Sequence, residues 1–197
     1  MTQPSRTFDE LLEIAKAGQL LSLAELERVR RELKSPASSA DAYTLLHILG
    51  KANDHSSLPI VRDYLNFGVG DPEDDGMVRR IAVQILAHWW HDKEAFHVVR
   101  EMAFEDTSPL VRAVAASALG KIASVYPEFK GEAARCLLRG IGRHADEQKD
   151  VWGSFYTGML ELAEVHPAAW PIRPGQLSPD ELDSEVVERV KELASSE

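Results

Sequence analysis

The stretch AHWWHDKEAFH, from Ala87 to His97, carries His88, His91, His97, Trp89, Trp90, Asp92 and Glu94. His88 and His91 stand at i and i+3, a spacing that can bring two imidazoles together on one side of a helix. With Asp92 and His97 they make the kind of histidine and carboxylate set that zinc takes, and a catalytic zinc needs three protein ligands. The positions favour a plainer reading. His91 falls at a helix junction, no further histidine is aimed at the pair, and no metal is expected. Cys136, the single cysteine, lies in AARCLLRGI on an apolar helix face. On that face a buried inert thiol is expected rather than a nucleophile. Arg62, Arg100 and Arg135 recur in IVRDYL, VVREMA and AARCLL. Such a row can pair with carboxylates or phosphates. It can equally be solvated and paired with neighbouring acids such as Asp63 and Glu101. There is no Gly-rich phosphate loop, no HExxH and no CxxC. No catalytic residue and no cofactor are therefore assigned.

The elements that must position these residues read as helices nearly throughout. Thr7 with Glu10, Ser22 with Glu25 and Ser178 with Glu181 have the spacing of capping boxes. Helices are expected over Phe8 to Ala17, Leu23 to Lys34 and Ala40 to Ala52. A fourth follows Ser57 as its cap. Asp71-Pro72 opens the one containing MVRRIAVQILAHWW, and Asp92 caps KEAFHVVREMAF. Further helices follow Ser108-Pro109 and Pro127, and another covers about Glu147 to Val165. The glycine- and acid-rich GVGDPEDDG, Gly68 to Gly76, is expected to be an exposed loop. AAWPIRPGQLSP, Ala168 to Pro179, holds three prolines and a glycine and cannot be regular helix. It detaches a last acidic helix from Asp180 to about Ala194. No segment alternates with the period of a strand, so the fold class is all-α.

The chain also repeats itself. MVRRIAVQILA from Met77 falls on LVRAVAASALG from Leu110, and Ile48-Leu49-Gly50-Lys51 echoes Ala118-Leu119-Gly120-Lys121. Leu162 to Pro167 echoes Ile122 to Pro127. In this register Ala87 takes the place of Gly120 and Gly50. His88 takes that of Lys121 and Lys51, exposed and polar, and Trp89 a core position shared with Ile122 and Ala52. Trp90 stands where Ala123 and Asn53 stand, larger than the register requires, which makes it a candidate contact residue.

DTSPLVRAVAASALGKI, Asp106 to Ile122, resembles the HEAT repeat in the form shared by HEAT-like bilin lyases. The family's pattern falls on Asp106, Val111, Arg112, Ala115, Ala118, Leu119 and Gly120. The resemblance covers about Ala40 to Pro167. It is fullest in this unit, good at Met77, partial at Asp41 and degenerate at Asp150. It implies an alpha-alpha superhelix, a HEAT-like solenoid of four to five helical hairpins with capping helices at both ends. Stacked hairpins share a core that a lone hairpin cannot bury. The parts are an N-terminal capping hairpin over 1–36, the array over 37–167, and a Pro-rich linker with the acidic helix over 168–197, within one structural domain.

In that family partners usually bind the second-helix face, here Arg62, Asp63, His97, Arg100, Glu101 and Arg135, with Trp90 and the acidic Asp74 and Asp75 added. The resemblance also admits enzymes: bilin lyases, and alkylpurine DNA glycosylases, whose aromatic and acidic residues invite comparison with Trp89, Trp90, Trp152 and Asp92. The charge opposes the second. Among 197 residues, 22 Lys and Arg stand against 32 Asp and Glu, a net charge of -10. That field repels phosphate backbones and anionic membranes and favours a basic partner. No apolar run is long enough to span a bilayer and no signal core opens the chain, so a cytoplasmic protein is expected. The expectation is a non-catalytic, protein-binding module, of the kind that masks a basic toxin as an immunity protein or antitoxin, or serves as a chaperone. Nucleic acid and membrane are excluded as partners, and the oligomeric state is left open.

Overall fold

A computed structural model of the chain describes residues 6–68, 70–143, 149–171, 177 and 181–196. These residues are helix, turn and coil with no strand, so the fold is all-α. The chain divides into two compact units, residues 1–90 and 91–197, each built from helical hairpins in the manner of a HEAT-like solenoid.

In the first unit both N-terminal capping boxes form. Thr7 accepts from Glu10 N–H, and its own N–H donates to the Glu10 carboxylate at 2.7 Å. This opens α1, Phe8–Lys16. Ser22 and Glu25 open α2, Leu23–Leu33, in the same way. The Ser178 box lies outside the described residues. Both helices pack on α3, Ser39–Lys51, which buries Leu45, Leu46, Ile48 and Leu49. A short α4, Leu58–Asp63, follows. Ser57 does not cap it as expected. Its hydroxyl is turned to the Asp54 carboxylate instead.

Asp71 caps α5, Pro72–Val83, so the acidic stretch is not a loop up to Gly76. Pro72 needs no N–H in the first turn, and Glu73, Asp74 and Asp75 lie where the helix dipole favours negative charge. Asp75 is buried, accepting from Gly70 N–H at 2.9 Å and from the Ser39 hydroxyl at 2.9 Å.

α5 then widens into a π-helix, Gln84–Trp89, closed by the Trp90 N–H bonding to the Ile85 carbonyl at 2.8 Å. A π-turn holds one residue more than an α-turn. That residue displaces the repeat register by one. Asn53 (φ 55°) follows α3 in left-handed conformation and precedes Asp54; His91 (φ 51°) follows the π-helix and precedes Asp92. Trp90 thus corresponds to Ala52 rather than Asn53. It is Trp90 that is buried, and Trp89 is half-buried, the reverse of the ungapped reading. His88 is likewise half-buried rather than exposed.

The second unit contains α6 (Phe96–Glu105), α7 (Pro109–Val125), α8 (Lys130–Arg143), α9 (Lys149–Leu162) and α10 (Ser184–Ser195). α7 is central, with α6, α8 and α9 packed against it. Small residues make this possible. Ala115, Ala116, Ala118 and Gly120 are all buried, and a Cβ on Gly120 would lie 1.9 Å from the Gly158 carbonyl oxygen. The backbones of α7 and α9 are in contact there. α10 begins later than Asp180, capped by Asp183, and lays Val186 and Val190 against α8 and α9.

Candidate protein-interaction face

α6 and α8 present the site. Asp92 starts α6 through a short turn by accepting from Glu94 N–H, and the Phe96 and Phe129 rings, 4.2 Å apart, hold α6 beside the start of α8. Lys93 pairs with Glu128 at the same end. That contact holds the Glu128 carboxyl below its ordinary range and the Lys93 ammonium above its own. With apolar residues of both helices turned to α7, their polar residues face outward as a cleft of about 340 Å³. Its lining is Arg100, Glu101, Phe104 and Glu105 from α6, and Glu132, Arg135, Cys136 and Arg139 from α8.

The charges are knit across the cleft. Arg100 donates to Glu132 and lies 4.0 Å from Glu101. The His97 ring is 4.0 Å from the same Glu132. Arg143 bonds Glu105 at 3.3 Å. The Arg139 guanidinium lies over the Phe104 ring, 4.5 Å from its centroid, and Arg135 donates to the Ala194 carbonyl at the end of α10. Cys136 is half-buried rather than sealed in the core. Burial pushes its thiol up from the ordinary range, against the pull of Arg100, so the protonated, unreactive form is favoured.

Of the residues expected to bind a partner, His97, Arg100, Glu101 and Arg135 come together here. Arg62 and Asp63 belong to α4 in the first unit, half-buried and exposed respectively. Asp74 is exposed on α5. Trp90, 6% exposed, and Asp75, 3% exposed, offer no surface to a partner. Trp90 packs on His55, and its buried indole N–H has no acceptor among the described residues. Trp152, buried, donates to the Ile141 carbonyl at 3.1 Å. Among the described residues no group of three His, Cys, Asp or Glu side chains is placed to hold a metal ion. None of their helices is long and apolar enough to cross a membrane.

Sequence reasoning passed over Phe104, Glu132, Arg139 and Arg143. The last two were within reach: Arg135, Arg139 and Arg143 recur at intervals of four. Phe104 and Glu132 carry no signal of that kind, because only packing of α6 beside α8 turns them into one cleft.

Residues 69–149 match the family model of HEAT repeats. This range includes the π-helix, α6, α7 and α8, and with them the whole lining of the cleft. The match is to HEAT repeats as such and assigns no bilin lyase type. No curated protein and no solved structure matches the chain.

Proposed function

We propose that this chain, whose residues 69–149 are HEAT repeats, is a non-catalytic module that binds another protein through the outward face of α6 and α8. HEAT repeats commonly mediate protein–protein interaction. The observation that carries the reading is the cleft itself. It gathers ion-paired side chains around one aromatic ring on the second helices of the matched segment. The finer form of the reading is an immunity protein, antitoxin or chaperone that masks its partner. Net charge alone favours a basic surface on that partner, whereas α8 is locally basic, so the seat on this face takes the opposite sign.

The test uses the full chain as bait in an extract of its own host. Wild type is compared with a variant reversed at Glu101 and Arg139, and with one reversed at Asp63 and Asp74. A protein retained in stoichiometric amount by wild type and by the Asp63/Asp74 variant, and lost from the Glu101/Arg139 variant, supports the α6–α8 face. Retention by all three baits, or by none, overturns it.

A further inference from the structure

α8 is a basic helix in an acidic chain. Lys130, Arg135, Arg139 and Arg143 stand against Glu132 alone, while residues 91–197 together hold 12 Lys and Arg against 19 Asp and Glu. Arg135, Arg139 and Arg143 are spaced by four, which sets them in one row, about 6 Å per step and roughly 12 Å from end to end. All three are exposed. Among the described residues their contacts are one hydrogen bond from Arg135 to the Ala194 carbonyl, the ring of Phe104 under Arg139, and the Glu105 carboxylate against Arg143. A guanidinium carries five N–H donors in a fixed fork. These contacts use a fraction of them, and two of the three partners are neutral.

We propose that this row seats an acidic helix of the partner protein, with carboxylates at every fourth residue. The proposal rests on the protein-binding reading above and specifies the chemistry of the partner's docking segment. Pitch is the first argument, since carboxylates at i, i+4 and i+8 repeat with the step of the arginines and meet them one to one. The floor is the second. Half-buried Cys136 lies beside the row and gives apolar contact to the stem of a glutamate or to a neighbouring leucine, while Phe104, buried beneath Arg139, closes the floor. Charge is the third. Phosphate backbone is charged along its whole length. Beyond the short row it would meet Glu101 and Glu105 of α6, whereas one face of a helix can stop where the arginines stop.

The probe is a fluorescently labelled, alanine-based helical peptide with glutamate at every fourth position, titrated into the full chain by anisotropy at low and at physiological salt. The same peptide with lysine in place of glutamate and a short single-stranded DNA are run beside it. The glutamate peptide is expected to bind with an affinity that falls as salt rises. The double variant Arg139→Glu, Arg143→Glu is expected to weaken it about tenfold or more. Arg139→Gln with Arg143→Gln, which keeps helix-forming side chains without charge, should weaken it in the same direction. Circular dichroism confirms that each variant is folded. Absence of glutamate-peptide binding, equal binding of the lysine peptide or DNA, or indifference to both double variants overturns the proposal. Capture of a host partner is read independently, so a partner that binds while the peptide does not sinks the acidic seat and leaves the docking function standing.

Discussion

Trp90 ends the π-helix with its ring against His55 and its buried indole N–H without an acceptor among the described residues. The ring and the N–H act in opposite directions. Trp90→Ala removes a buried aromatic and should cost about 3–5 kcal/mol in chemical denaturation. Trp90→Phe removes the unsatisfied donor and keeps most of the area, so it should cost far less. Equal losses for the two would show that the N–H has an acceptor after all. Two histidines set a pH dependence. Burial, reinforced by Lys51 and Lys16, lowers His47; burial, reinforced by Lys121, lowers His91. Between the lowered values and the ordinary value near 6.5, the unfolded chain holds protons that the folded chain refuses. Their contribution is complete above that value and is lost as pH falls through the window. The melting temperature should drop from neutral pH to mild acid, and less so in His47→Gln and in His91→Asn, which also suits the left-handed backbone. A melting temperature that rises on mild acidification would contradict this. At lower pH Asp54 acts. Burial pushes its carboxyl up, but hydrogen bonds from Arg30, Ser56 and Ser57 outweigh that and hold it below its usual range. Its stabilisation, complete above the ordinary carboxylate value, is lost as pH falls from there through the lowered one.

The elements differ in how much room they leave. Gly120 and Gly158 let the α7 and α9 backbones touch, and neither helix can give way without parting from the other. Gly120→Ala should cost about 3 kcal/mol or more, the upper end of overpacking effects. Gly142 on α8 has nothing within 4 Å of an added Cβ. Gly142→Ala should raise stability by about 0.4–1 kcal/mol, through the unfolded chain and helix propensity. Thermal melts of the pair decide, and a Gly120 variant as stable as wild type would mean that the two helices do not meet. Of the elements themselves, most were legible. The two boxes at Thr7 and Ser22, the proline at Pro72 and the cap at Asp92 place helix starts by local hydrogen bonding alone. The π-helix was not legible. Its extra residue is accommodated by what surrounds it: Gly50 would clash with Trp89 and Ile85 if it carried a Cβ, and Lys51 and His47 cover the Trp89 ring. An ungapped register cannot register such an insertion, which is why it exchanged the roles of Trp89 and Trp90.

For the molecule, the C-terminal helix is the part whose removal should report most clearly. α10 buries Val186 and Val190 on the second unit, and Arg135 holds its last turn by the Ala194 carbonyl. Truncation before Ser184 should destabilise by about 3–6 kcal/mol from the two valines, with a lower denaturation midpoint and α8 more open to amide exchange. Unchanged exchange in α8 would mean that α10 does not cover it. Composition, helical periodicity, capping pairs and the internal repeat determined the all-α class, the HEAT-repeat pattern and the negative charge, because each is written in local spacing or simple counts. The candidate face was legible only in part. His97, Arg100, Glu101 and Arg135 follow from the repeat, but the net charge says nothing of where the charge lies. Only the tertiary structure drew the arginines of α8 and the acids of α6 around Phe104, and only it buried Asp75 and Trp90. The reason is physical: a residue's exposure and the sign of the field it meets depend on neighbours far away in the chain, and those are supplied by packing.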